Sequence, residues 1–412
     1  MKMKKISLFL VVALLAATVF AGCGGGGQST SGTGNTVEGD TIKIGVFQPT
    51  TGENGGGGMQ EVLGVRYANT VKPTIDIGGK TYKIELVEVD NQSDKAAAVT
   101  AAQSLISQGV VAVSGSYGSA VSIAAGETFK NAKVPAVACS ATNPQVTLGN
   151  DYYFRIAFLD PFQGTVMANY AIDSGYKKAA VISQNGDDYS TGLAGYFKQA
   201  FQDLGGEIVA DETYQTNESD FNAILTKIKS ANPECIFTPS SINTATLILP
   251  QIKANGITAK VMAGDTWENA AIISKDSVGI ALSTFFDEND TSNPVATDFV
   301  TGFKAYLNSD PKNIASNANT DTVAAVSALS YDSYMAIYEA LSKVDATNGI
   351  TSEAIQAALK NVDTQGVTGK IVFDENGDAV KDTAFIKTVT DNSLASKTFE
   401  FVKTQTVKDN KK

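Results

Sequence analysis

Histidine is absent from the 412-residue chain. That removes Ser-His and Cys-His nucleophilic machinery and most zinc sites together. Ser-Lys and paired-carboxylate schemes survive the exclusion, but no motif for either stands out, and no enzyme, metal or cofactor is expected. Positive charge is scarce: 32 Lys and Arg stand against 43 Asp and Glu, for a net charge of −11. Nucleic acid requires basic stripes, and anionic lipid attracts basic segments, so neither is a direct partner. The glycine runs Gly24 to Gly27 and Gly55 to Gly58 lack the following Lys-Ser/Thr of a phosphate-binding loop. The long apolar run, Ile6 to Phe20, is shorter than the roughly 18 residues needed to span a bilayer. Cysteine is limited to Cys23, Cys139 and Cys235. Cys139 and Cys235 each sit in a short apolar run that reads as a separate buried strand, so two free thiols are expected rather than a disulfide.

What is present begins with an export signal. Lys2, Lys4 and Lys5 precede the apolar run, and Ala21-Gly22-Cys23 follows it. This is the pattern of a signal peptide, residues 1–22, cleaved so that Cys23 becomes the lipid-bearing N-terminus. Residues 23–39, rich in Gly, Ser and Thr, are expected to form a flexible tether reaching roughly 20 Å. Residues 404–412 are expected to fray as a polar tail. The chain is therefore placed outside the cytoplasm, anchored to the outer face of the cell membrane.

From Thr41 onward strands and helices alternate. Ile42 to Phe47, Tyr82 to Val89, Val110 to Val113 and Val134 to Ala138 read as strands. Between them, Lys95 to Gln108 places Val99, Ala102, Leu105 and Ile106 on one helical face, and Ala120 to Asn131 forms another helix. A second series starts near Asp160-Pro161. Its strands are Ala179 to Ser183, Glu207 to Tyr214, Cys235 to Thr238 and Val261 to Ala263; its helices are Phe162 to Ser174, Thr191 to Leu204, Phe221 to Ser230 and Asn243 to Asn255. Two such runs predict an α/β fold of two Rossmann-like lobes, each a mostly parallel sheet flanked by helices. The length suits two domains. Helices Phe299 to Leu307 and Thr322 to Leu341, with the hairpin at Ile371 to Gly377, are too little for a third domain and are expected to complete the first two.

Several local motifs accompany this order. They are Ile42-Lys43-Ile44-Gly45 with Pro49-Thr50-Thr51-Gly52, Val110 to Ser119, Ser140-Ala141-Thr142-Asn143-Pro144, Tyr152-Tyr153-Phe154-Arg155, Asp188-Tyr189, Gly264-Asp265 and Phe373-Asp374-Glu375-Asn376-Gly377. In this order the chain resembles the branched-chain amino-acid receptor family, type I periplasmic binding proteins that serve ABC transporters. The resemblance implies a three-strand hinge, with crossings near Asp160, near Phe286 to Asn289 and near Val367 to Gly369. The lobes would then be residues 40–160 plus 290–367 and residues 161–289 plus 368–403.

The resemblance also assigns a cleft. Ser119, just before a helix, would give its hydroxyl and the following amides to a ligand carboxylate; an N-cap role is compatible with that. Ser140, Ala141 and Thr142 follow a buried strand, where open α/β sheets bind ligands. Asp265 would hold the ligand's ammonium from the second lobe, because a buried cation needs a charged acceptor. Tyr189 would supply an apolar wall with a polar tip. Gly57 and Ser241 stand where some relatives carry aromatics, and Trp267 is a candidate to close the gap. The implied function is capture of an amino acid, branched-chain or otherwise hydrophobic, by hinge closure of a monomer, with delivery to a permease. The alternatives are the same fold binding a short amide, a urea-like compound, an aromatic acid or a peptide, a sensor subunit, or an extracytoplasmic hydrolase.

Overall fold

The computed structural model describes residues 34–405. The signal peptide, Cys23 and residues 406–412 lie outside the described residues. The first lobe opens with β1 (Thr41–Gln48), α1 (Gly55–Val71), β2 (Thr74–Ile77), β3 (Lys80–Asp90), α2 (Lys95–Ser107), β4 (Ala112–Ser114), α3 (Ser119–Asn131), β5 (Ala136–Ala138) and β6 (Tyr153–Arg155). The second lobe follows with α4 (Asp160–Asp173), β7 (Lys178–Gln184), α5 (Asp188–Asp203), β8 (Glu207–Tyr214), α6 (Asn222–Ala231), β9 (Cys235–Phe237), α7 (Ile242–Ala254), β10 (Lys260–Ala263) and β11 (Ala281–Thr284). The remainder is α8 (Pro294–Ser309), α9 (Pro311–Ser316), α10 (Ala325–Ser342), α11 (Ser352–Leu359), β12 (Asp363–Gly366), β13 (Gly369–Val372), β14 (Ala384–Thr388), α12 (Asp391–Ser396) and β15 (Glu400–Gln405).

The strands form two large sheets, ordered β2-β3-β1-β4-β5-β6 and β15-β14-β11-β10-β9-β7-β8. Both are parallel except at their edges, where β2, β14 and β15 pair antiparallel. Helices cover both faces, which is why central strands read as apolar runs rather than alternating ones. In β1, Ile42, Ile44, Val46 and Phe47 are all buried. Helix α1 packs along α10, and β14 and β15 extend the second sheet from β11. Cys139 and Cys235 are free and buried.

Three boundaries differ from expectation. Residues 35–37, expected within the tether, are docked on the first lobe: Asn35 Nδ2 donates to the carbonyls of Ile106 and Val110 at 3.0 and 2.8 Å, and Val37 N–H bonds Ile350. At the other end, β15 continues to Gln405, so residues 404 and 405 pair with β14 instead of fraying. The third crossing, expected at Val367 to Gly369, is instead the turn of the β12–β13 hairpin. The buried Asp332 carboxylate of α10 accepts from the amides of Val367 and Thr368, both at 2.8 Å, and pins that turn to the first lobe. The chain stays there until Ala379, whose N–H bonds Arg155, and enters the second sheet at Ala384.

Arg155, at the end of β6, is fully buried. Its Nε and Nη2 bond Asp378 Oδ1 at 2.8 and 2.6 Å, and Nη1 bonds the carbonyls of Ala141 and Asn143 at 3.1 and 2.6 Å. One guanidinium therefore ties the turn after β13 to the loop after β5. Removing one partner of such a pair leaves an uncompensated buried charge. Asp378→Ala is expected to lower the unfolding free energy by about 3–5 kcal/mol in urea titration; a loss like that of an exposed pair, under about 1 kcal/mol, would show that Arg155 is held without Asp378.

Candidate functional site

Both sheets point the carboxyl ends of their strands at the gap between the lobes. On the first lobe, α3 begins at this gap. Gly118 stands before it with φ of 90°, and its Ser119, Ala120 and Val121 amides lie in the first turn, where no i−4 carbonyl exists to receive them. These residues line a cavity of about 280 Å³ shared by both lobes. An anion meets free N–H groups and the positive end of the helix dipole there. Ser119 is the first residue of the helix rather than its side-chain cap. Its Oγ accepts the Asn143 N–H at 3.1 Å, which leaves the hydroxyl hydrogen for another acceptor.

The loop after β5 supplies the floor. Ser140 lines the cavity, and its hydroxyl bonds the buried carboxyl of Glu61. Ala141 is buried with its carbonyl on Arg155. Thr142 is buried behind the cavity; its Oγ1 has no hydrogen-bond partner among the described residues, and its carbonyl accepts from Asp160 N at 2.9 Å.

On the second lobe, Asp265 follows β10 and faces the same cavity. Gln163 Nε2 and Tyr189 Oη both donate to its Oδ1, at 2.8 and 3.0 Å. Gly264 makes this approach possible: a Cβ there would lie 2.2 Å from the Tyr189 hydroxyl and 3.1 Å from Gln163 Nε2. Burial pushes the Asp265 carboxyl up to about 6, while those two bonds hold it down. Glu61 and Asp160, also fully buried, are pushed to about 8 by desolvation, with the charge of Asp265 adding to the rise. Of these three acids Asp265 alone lines the cavity, where it is joined by Asp187, which burial also pushes up to about 6; at neutral pH Asp265 and Asp187 carry charge while burial keeps Glu61 and Asp160 neutral.

The remaining candidates divide. Ser241 lines the cavity, but its Oγ also caps α7 through the Thr244 N–H at 3.1 Å. Gly57 does not line it: a Cβ there would lie 2.5 Å from the Tyr117 ring, so Tyr117 occupies the space that a larger residue 57 would take. Trp267 is fully buried in the second lobe's core, with Nε1 on Ser240, and lies behind the cavity wall. Tyr117, Gln163, Glu61 and Arg155 were not singled out from sequence. Tyr117 and Arg155 sat inside quoted motifs; Gln163 and Glu61 are helical residues with no local signal.

The lobes touch across the rim. Asn143 Nδ2 donates to the Asp188 carbonyl at 2.7 Å, Lys95 pairs with Asp188 at 2.8 Å, and Gln184 Nε2 bonds Glu53 at 3.1 Å. Two α/β lobes that enclose a gap, one offering helix amides and the other a carboxylate, define a hinged solute receptor. Comparison with known proteins agrees: the chain belongs to the periplasmic binding protein family, whose profile, described as "Periplasmic binding protein", matches residues 41–393. It is similar to an "Amino acid binding protein" of Pseudomonas aeruginosa, 32% identical over 227 residues, which are 54% of this chain and 60% of that protein. A solved leucine-binding protein of Thermotoga maritima is 31% identical with a TM-score of 0.78, covering 89% of this chain and 99% of its own. The branched-chain amino acid transporter substrate-binding protein of Streptococcus pneumoniae, solved with isoleucine, is 29% identical with a TM-score of 0.76, covering 89% and 99%. The chain is related to ABC-transporter solute-binding proteins, and its family is one of binding proteins, not catalysts. Among the described residues, no helix is long and apolar enough to cross a membrane.

The buried acid of Glu61 makes a stability prediction. Its folded pKa lies above its unfolded value, so its contribution is complete below about pH 4, declines as pH rises, and is lost through about 8. Glu61→Gln is expected to flatten the fall in melting temperature between pH 6 and 9, measured by calorimetry without ligand. An equally steep fall in the variant would place the titrating group elsewhere.

Proposed function

We propose that this chain captures an α-amino acid by closing its lobes and presents the closed form to an ABC-transporter permease, tethered to the outer face of the cell membrane through lipidated Cys23. One observation carries the reading: an ionisable carboxylate on one lobe and the free amides of a helix on the other line one cavity. That pair matches the two ends of a zwitterion. Ser119, Ser140 and the first turn of α3 take the carboxylate, and Asp265 with Tyr189 takes the ammonium. Thr142 supports the floor beside Asp160. Each lobe alone holds half the ligand, so the ligand favours the closed arrangement. The names of the leucine and isoleucine relatives support an amino acid as the ligand class and favour a branched-chain or other hydrophobic side chain.

Isothermal titration with an amino-acid panel tests this. Asp265→Asn is expected to weaken binding at least about 30-fold, because the ammonium loses its charged acceptor in a dry site; wild-type affinity in the variant would assign the cation to another group. Affinity should also depend on pH. Binding requires the ionised Asp265, whose pKa is about 6, while Glu61 and Asp160, at about 8, stay protonated over the window from pH 5 to 7; Asp187, also at about 6 on the same cavity, titrates with it, so the profile is read against that of Asp265→Asn, in which the dependence is expected to shrink. Wild-type affinity is therefore expected to be about tenfold weaker at pH 5 than at pH 7, and a flat profile would contradict the role of Asp265.

A further inference from the structure

A second cavity lies where the chain passes between the lobes. The passages are residues 156–159 between β6 and α4, residues 285–293 between β11 and α8, and residues 380–383 ahead of β14. All three line one cavity of about 340 Å³, larger than the 280 Å³ of the cleft. Phe158, Phe285 and Val380 come one from each passage. Ala296 of α8 and Leu329 of α10 join them from helices that pack on α1, and Phe385 of β14 joins them from the second sheet. Ligand cavities of about 300–1,000 Å³ favour such domain junctions.

The wall is aromatic and apolar. The rings of Phe158 and Phe285 lie with centroids 4.2 Å apart. Val380 is 69% exposed and Phe385 half-buried, so apolar surface meets water at the mouth. Polar groups of the wall are paired with the protein. Asn293 Nδ2 donates to the carbonyls of Gly366 and Val367 at 2.9 and 3.1 Å. Thr368 Oγ1 donates to Asp332 at 2.6 Å, and Lys381 Nζ donates to the Thr368 carbonyl and hydroxyl at 2.9 and 3.2 Å. Among the described residues, no buried side-chain polar atom that lacks a partner belongs to this lining. The charged lining residues, Asp290, Lys370, Lys381 and Asp382, number two of each sign, so neither an anion nor a cation is favoured.

We propose that this hinge cavity binds a small uncharged aromatic molecule, and that its occupancy favours the lobe arrangement described above. Such a molecule displaces water from phenylalanine and valine surface, strands no unpaired polar group, and offers a ring to Phe158 and Phe285. Hinge motion is absorbed by the backbone of the passages, so the shape of this cavity belongs to one arrangement of the lobes. A molecule that fits that shape binds the arrangement selectively, and the coupling to the cleft is reciprocal. The site stands apart from the amino-acid reading above; its coupling to the cleft rests on that reading.

The test is isothermal titration of the full mature chain with indole as the probe, alone and with the amino acid that binds most tightly in the panel above. Indole is expected to bind at one site. Ala296→Phe, which fills the cavity from α8, is expected to weaken indole at least about tenfold. Val380→Glu, which sets a charge at the exposed mouth without touching the core, is expected to weaken it about threefold. No indole binding overturns the site, and so does unaltered indole affinity in a folded Ala296→Phe or in Val380→Glu. Saturating indole is expected to tighten the amino acid about fivefold. Unchanged amino-acid affinity overturns the coupling, and weakened affinity, the sign of indole in the cleft, overturns the site. No binding of any amino acid removes the amino-acid reading and the coupling with it, while the indole titration still decides the site.

Discussion

The Asp265 carboxylate is taken out of water by the closed lobes, and the two side chains that bond it, Gln163 and Tyr189, both end on one oxygen. A negative charge in that position is tolerable only with further donors or a cation beside it. The surroundings narrow the choice. Glu61 and Asp160 are acids whose burial favours the neutral form, so they add little repulsion when protonated and no compensation. The remaining open direction is the cavity, and at its far wall lie amides that want an anion. The charge arrangement of the site is thus unfinished from both sides, in a way that a molecule with opposite charges at its two ends completes.

The scaffold holds each half of this arrangement on supported elements of its own lobe. The amide half stands on α3 and on the loop after β5, whose carbonyls are gripped by Arg155. The acid half stands at the end of β10, where Gly264 lets Tyr189 and Gln163 close in. Sites on such supported elements hold their geometry better than sites on free loops. The rim contacts through Asn143, Lys95 and Gln184 are long-range in sequence and short in number of atoms. They suit a closure that is biased by ligand rather than locked without it.

Much of the architecture could be read from the residues because its signals are local. Central strands such as β1 and β7 are apolar runs bounded by Gly, Pro or polar turns, and α2 and α5 show helical spacing with clear stops. The edge strands β2 and β14 and the start of β15 were harder, since short antiparallel edges lack a distinctive pattern. The third crossing was misplaced because its position is set by Asp332 and Arg155, each acting across a large separation in sequence. In the site, Ser119, Ser140, Tyr189, Ser241 and Asp265 do line one cavity. Trp267 does not, because its ring packs into the second lobe's core and its Nε1 donates to Ser240. Tyr117 replaces the volume missing at Gly57, an exchange between residues 60 positions apart that no local motif reveals.

The most direct measurement is a crystal structure of the chain with its bound amino acid. The amine nitrogen is expected within about 2.7–2.9 Å of Asp265, with the ligand carboxylate on Ser119 and the first amides of α3. A ligand lying the other way round, or one whose amine leaves Asp265 untouched in the closed cleft, would contradict the account.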